Sequence, residues 1–158
     1  MTCIFCEIVA GYAPSHVVWE DSAHLAFLSI FPNTPGFTVI ATKHHYQSYA
    51  FSESDQVLAK LVIASKQVGL LLDRAFQDVA RTGFILEGFG VDHLHAKLFP
   101  MHGTAPMETW KPIRSKVDKF FTHYEGYLSS HDYSRADDLD LTAIAAKIRQ
   151  ARDQEKSR

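Results

Sequence analysis

The chain has no apolar run approaching the ~18 to 20 residues that a membrane-spanning helix needs, and no positively charged stretch before an apolar core at its start. A soluble, cytoplasmic protein with no membrane partner is therefore expected. Long basic runs are missing too: 16 Lys and Arg stand against 18 Asp and Glu, for a formal net charge of −2. That balance argues against a general grip on nucleic acid polymers and confines any phosphate site to a local cluster. No repeat recurs and no stretch rich in Pro, Gly or Ser divides the chain, so residues 1–158, 46% of them hydrophobic, are expected to form a single domain. Cysteine is scarce, with Cys3 and Cys6 alone. A pair three apart at the very start of a chain cannot brace a domain of this size as a disulfide. Redox or metal chemistry is the better use for Cys-x-x-Cys in a cytosolic protein. The redox reading wants a strand before the pair, and none precedes Cys3, so metal binding leads and two further ligands are needed.

What the chain does have is an unusual strand pattern in Gly90-Val91-Asp92-His93-Leu94-His95-Ala96-Lys97-Leu98-Phe99-Pro100. Side chains alternate across a strand, so His93, His95 and Lys97 share one face while Leu94, Ala96 and Leu98 share the other. Two imidazoles and an ammonium in one row suit an anion, a metal, or both.

Around that strand the pattern predicts an α+β fold. Ile4, Phe5, Ile8 and Val9 recur with helical spacing before Gly11, giving a short helix over residues 2–10 that presents Cys3 and Cys6 on one side. Strands are expected at 17–20 and 24–28 around a polar turn, then at 37–41 after the loop Pro32 to Gly36. Ser52 to Asp55 offers N-caps for a long amphipathic helix reaching about residue 80. A fourth strand follows at 84–87, and the basic strand at 91–99 runs antiparallel to it or beside it. A helix is expected around 113–123, and a charged C-terminal helix from Asp138, fraying after Arg152.

Three of these segments together resemble the histidine-triad superfamily: Cys3-Ile4-Phe5-Cys6, Gly36-Phe37-Thr38-Val39-Ile40-Ala41-Thr42-Lys43-His44-His45, and Val91-Asp92-His93-Leu94-His95-Ala96-Lys97. The resemblance covers about residues 2–103, leaving 104–158 as a C-terminal extension. Family members carry three histidines spaced by single apolar residues, whereas Lys97 stands at the third position here. The related galactose-1-phosphate uridylyltransferases depart at the same place, with a glutamine. The resemblance implies an antiparallel sheet of about five strands with a long helix and a C-terminal helix, in a homodimer whose sheets join.

It also implies that His95 attacks the α-phosphorus of a nucleotide to give a nucleotidyl-histidine that water or another acceptor resolves. A neutral imidazole suits this because one ring nitrogen is a lone pair needing no base. Lys97 would disfavour the imidazolium and stabilise the phosphoryl group in flight. Dinucleoside polyphosphates, nucleoside phosphoramidates and sugar nucleotides are the substrate classes implied. By the same resemblance Cys3, Cys6, His45 and His93 hold a structural zinc, with His44 the competitor of His45; a Cys₂His₂ set is closed and braces the fold rather than activating water.

For the nucleotide, Ser29 stands where the family places an acidic residue against the ribose, with Asn33 in the following loop as a helper. Backbone N–H groups at Gly88 and Gly90 are phosphate candidates, His102 is a candidate proton donor to the leaving group, and the loop carrying His131, Asp132 and Arg135 is a candidate cover. Phe5, Phe27, Phe31 and Phe37 are candidate walls for the base, while His16, His24 and His123 are expected to be structural. The alternative function is a non-catalytic nucleotide-binding or regulatory module; a zinc-braced interaction domain without a ligand is a third reading.

Overall fold

The structure, a computed structural model, describes residues 3–105 and 131–153 together with positions 110, 112, 114, 118–126 and 128. Helix α1 (Ile4–Val9) leads into β1 (Val17–Glu20), β2 (His24–Leu28) and β3 (Thr38–Thr42). A 3₁₀ turn at Ala50–Ser52 precedes α2 (Asp55–Ala75), followed by β4 (Thr82–Ile85), β5 (His95–Pro100) and α3 (Asp138–Asp153). The five strands form one antiparallel sheet in the order β1-β2-β3-β5-β4. Among the described residues no helix is long and apolar enough to cross a membrane.

Strand alternation sorts the apolar residues onto two sides of the sheet. Ala26, Leu28, Ile40, Ala96 and Leu98 join the main core with Leu61, Val68 and Leu72 of α2 and Leu141, Ala145 and Ile148 of α3. The intervening residues Leu25, Phe27, Val39 and Ala41 face the other way and pack with Phe5 of α1 and with Phe37. The long helix starts where Ser54 accepts the Val57 N–H at 3.4 Å, an N-cap that satisfies one of the orphan donors of its first turn. With α2 and α3 filling one face, the sheet's second face carries α1 and, among the described residues, Tyr124, Leu128, His131 and Asp132 of the extension around a cavity, and the basic residues of β5 lie there.

The departures from the sequence pattern have local causes. Helix α2 stops at Ala75, not near 80, because the extended Phe76 leaves the helix and is buried. Strand β4 begins two residues early, at Thr82, which pairs with Pro100, and ends at Ile85, opposite Lys97. Gly88, at φ +73°, then turns the chain; a Cβ there would stand 3.0 Å from the Ser48 carbonyl oxygen. Strand β5 begins at His95 rather than 91, since residues 88–92 are a turn pinned by Asp92, whose carboxylate accepts the Ser48 N–H at 3.0 Å. His93 therefore precedes the strand. Of the helix expected at 113–123, the described positions 114 and 118–123 are not helical, and the rest lies outside the described residues, as does the chain beyond 153.

Candidate active site and metal centre

His93 and His95 carry the same ring in opposite tautomers, and the backbone decides which. A carbonyl oxygen can only accept, so each ring nitrogen facing one must bear the proton. His93 Nε2 donates to the Thr42 carbonyl at 2.7 Å, which leaves Nδ1 as a lone pair turned toward the cysteines. His95 Nδ1 donates to the His93 carbonyl at 2.6 Å, which leaves Nε2 as the lone pair. Burial pushes both imidazoles below the ordinary histidine range, and the Lys97 charge adds to this at His95. Both rings are thus neutral at pH 7. Phe5 of α1 packs edge-on against each, with ring centroids 5.8 Å from His93 and 5.2 Å from His95.

On the His93 side lies a group of four ligand atoms. Cys3, Cys6, His45 and His93 bring one donor each to within 4.8 Å of one another. Cys3 Sγ is 3.3 Å from His93 Nδ1, and Cys6 Sγ is 3.4 Å from His45 Nδ1 and 3.5 Å from His93 Nδ1. A tetrahedral zinc with Zn–S near 2.3 Å and Zn–N near 2.0 Å would set its S···N edges at about 3.5 Å. The donors present fit that ion, and the His93–Thr42 bond is the outer hydrogen bond that metal-bound histidines carry. His44 stays outside the group; its ring stacks edge-on against Tyr46. Burial and the neighbouring Cys3 push the Cys6 thiol up, so a metal here must displace protons on binding.

On the His95 side opens a cavity of 740 Å³. His95, Lys97, Ser29 and Gly90 line it, as do Phe5, Phe27, Phe31 and Phe37, and the extension adds His131 and Asp132. Lys97 forms an ion pair with Glu87, the two side chains 13% and 4% exposed. Glu87 is a site residue that sequence reasoning missed. It was findable: Ile85 pairs with Lys97 across β4 and β5, which sets Glu87, two residues on, against the His95–Lys97 face. Ser29 sits at the cavity edge with its hydroxyl accepting the Phe31 N–H at 3.1 Å.

Three expected nucleotide residues do not line the cavity. Asn33 belongs to a neighbouring cleft of 330 Å³ between the 29–36 loop and α3, where its Oδ1 is buried and accepts no hydrogen bond among the described residues. Gly88 is turned against Ser48 and Tyr49. His102 is held elsewhere, by Asp78 at 3.1 Å and the Pro35 carbonyl at 2.9 Å, with its ring on Phe76. Arg135 pairs with Asp138 at 3.0 Å at the start of α3 and likewise stands outside the lining.

This fold is shared with known proteins. The HIT domain family matches residues 10–104, and the chain belongs to that family. An uncharacterized HIT-like protein of Methanocaldococcus jannaschii is 31% identical over 102 residues, which span 63% of this chain and 79% of the relative. Among solved structures, a zinc-bound histidine triad family protein from Mycobacterium smegmatis superposes with a TM-score of 0.70 at 23% identity, covering 99% of this chain and 97% of the other. A HIT family hydrolase from Legionella pneumophila superposes at 0.54 with 26% identity, covering 62% and 91%. The family match begins after the two cysteines and ends before the extension, so α1 and α3 rest on the structure and its likeness to whole chains.

Proposed function

We propose that this protein is a nucleotide hydrolase or nucleotidyl transferase that breaks a bond at the α-phosphorus of a small nucleotide through a covalent intermediate on His95. The observation that carries the reading is the His95–His93 carbonyl bond, which leaves Nε2 as a lone pair at the wall of the cavity. The likeness to the Legionella protein named a hydrolase supports it. In the first half-reaction Nε2 bonds to phosphorus, and the bond from phosphorus to the leaving group breaks with its electron pair. The leaving group takes a proton from the Lys97 ammonium. Water then bonds to phosphorus, the P–N bond breaks, and the proton released by the water returns to Lys97. Ser29 contacts the ribose, the Gly90 backbone the phosphate, and the Phe5, Phe27, Phe31 and Phe37 rings the base. Asn33, Gly88 and His102 have no direct role in this proposal, being outside the cavity.

Cys3, Cys6, His45 and His93 hold a structural zinc in this reading, supported by their fit to a tetrahedral set and by the zinc-bound Mycobacterium smegmatis neighbour. Two unpaired thiols serving a metal suit the reducing cytoplasm. We assign the chain to one domain, since α3 contributes Leu141, Ala145 and Ile148 to the main core.

The test is intact mass spectrometry after rapid quenching with adenylyl and uridylyl substrates. A nucleoside monophosphate adduct on the wild type and none on His95→Ala is expected. Nucleotide bound with neither adduct nor product would favour the non-catalytic module, a reading that the Glu87 carboxylate beside Lys97 supports by offsetting charge the reaction uses. Lys97→Met is expected to slow turnover about 100-fold, a usual scale for a lost proton donor, while Lys97→Arg keeps the charge and part of the rate. Steady-state kinetics on each decides it.

A homodimer is proposed through β4. It is one of the two edge strands, and Phe84 is 43% exposed beside a cleft lined also by Val62 and Leu70 of α2. An apolar sheet edge invites pairing. Sedimentation is expected to show a dimer for the wild type and a monomer for Phe84→Lys; a dimer in both would reject this face.

A further inference from the structure

The C-terminal extension borders the cavity beside β5, and its seating brings one segment against the end of β2. Ala136 donates its N–H to the Ile30 carbonyl at 2.9 Å, and α3 follows with Leu141, Ala145 and Ile148 in the main core. This bond and this packing hold residues 131–136 beside the chain at 29–30. Ser29 stands at the seam. It lines the His95 cavity together with His131 and Asp132, and it lines the 330 Å³ cleft together with Tyr133 and Ala136. Ser29 is also the first residue beyond β2, two places after Phe27. A nucleotide with its phosphorus at His95 and its base among Phe5 and Phe27 has its sugar between the two, where the polar side chains of this seam can meet it.

Those side chains differ in what hydrogen bonding they have left to give. Ser29 already accepts the Phe31 N–H at 3.1 Å. Arg135, in the same segment as Asp132, is committed to Asp138 at 3.0 Å and to the Ala136 carbonyl at 3.1 Å. Asp132 is exposed, and among the described residues no hydrogen bond or ion pair engages its carboxylate. A carboxylate offers two acceptor oxygens in one plane and no donor, so it can take two neighbouring O–H groups at once, whereas a serine hydroxyl offers a single atom. The vicinal 2′ and 3′ hydroxyls of a ribose are such a pair of donors.

We infer that Asp132 is a specificity residue for the sugar: its two carboxylate oxygens accept the 2′ and 3′ hydroxyls of a ribonucleotide, with Ser29 as a secondary contact. The extension thereby selects ribose over deoxyribose and is part of the binding site, not only a cover over it. The inference rests on the reading of the cavity as a nucleotide site and deepens that reading. It involves no bond change, and it depends neither on which group leaves nor on turnover at His95.

Equilibrium titration of the full chain with the 5′-monophosphates of adenosine, guanosine and uridine, each in its ribo, 2′-deoxy and 3′-deoxy form, reads the sugar contact without turnover. The wild type is expected to bind its preferred ribonucleotide about tenfold more tightly than either deoxy form, the low end for a hydrogen bond to a charged group because Asp132 stays open to water. That ratio should fall to about threefold in Asp132→Asn, which keeps one acceptor oxygen, and to about one in Asp132→Ala, while Ser29→Ala lowers it by about twofold at most. A ratio taken within one variant cancels any general loss of affinity, so a merely structural role for Asp132 would leave it unchanged; melting checks the fold of each variant. Equal binding of ribo and both deoxy forms by the wild type, or a ratio kept in both Asp132 variants and lost in Ser29→Ala, would overturn the assignment while the nucleotide reading stands. No binding of any nucleotide would instead overturn the nucleotide reading, and this inference with it.

Discussion

His95→Ala is expected to lower kcat by about 10⁴-fold or more, the scale on which removal of a covalent nucleophile is usually felt, while nucleotide affinity changes far less. Phe5, Phe27, Phe31 and Phe37 are among the apolar residues that wall the cavity, and these are expected to stay in place when one imidazole is cut back. The ring's contribution is specific to the reaction: one nitrogen is committed to the His93 carbonyl, so the other has no proton to lose before it bonds to phosphorus. Equilibrium binding of a non-hydrolysable nucleotide, set beside single-turnover kinetics, separates the two effects. A residual rate within tenfold of the wild type would mean that water attacks directly and that the covalent reading is wrong. Loss of binding in step with the rate would mean that the variant has disturbed the fold, which melting would show.

The sheet, its order of elements and the row on β5 were legible in the sequence because period-two and period-3.6 patterns are strong in those segments. Val39 and Ala41 take one face of β3 and Ile40 the other, as alternation requires. The ends of elements were not legible for reasons that lie outside each segment. Whether β5 begins at 91 or 95 depends on Asp92 reaching Ser48, a contact made across 44 positions of chain. Whether α2 ends at 75 or 80 depends on Phe76 finding a buried place.

The site divides in the same way. The four-residue group and His95 could be named because three segments resemble the histidine-triad family, and the structure brings Cys3, Cys6, His45 and His93 together, as a group that could hold a metal, while leaving His44 aside. Alternation put His93 and His95 in one row, and the family resemblance divided them into zinc ligand and nucleophile. Which tautomer each ring takes comes from the carbonyl it meets, Thr42 or His93, and no side-chain pattern carries that. His102, a candidate by its nearness in sequence to β5, stands outside the cavity lining; the chain after Pro100 turns toward Asp78. Tyr124 and Leu128, from a segment without periodicity, became visible as cavity residues only in three dimensions.

Cys6→Ser is expected to bring bound zinc from one ion per chain to near none and to lower the melting temperature by about 10 °C. Cys6 touches both histidines of the group, His45 at 3.4 Å and His93 at 3.5 Å, so its loss opens two edges of the donor set at once. A hydroxyl does not replace a thiolate on zinc, and three remaining donors bind far more weakly. If about 3 kcal/mol of folding free energy depends on the ion, a chain of this length should melt roughly 10 °C lower. The set ties α1 to the segment just before β5, and the His93 that is one of its ligands also supplies the carbonyl that orients His95. Turnover measured well below the melting temperature should therefore fall too, by about tenfold, the usual reach of a group that positions a reacting one. That fall is far smaller than the one expected for His95→Ala, because the nucleophile remains and only its hold is loosened. Metal analysis, calorimetry and turnover on one preparation test all three. Full zinc content with an unchanged melting temperature would remove Cys6 from the centre, whereas loss of zinc with a rate as low as that of His95→Ala would make the ion part of the chemistry.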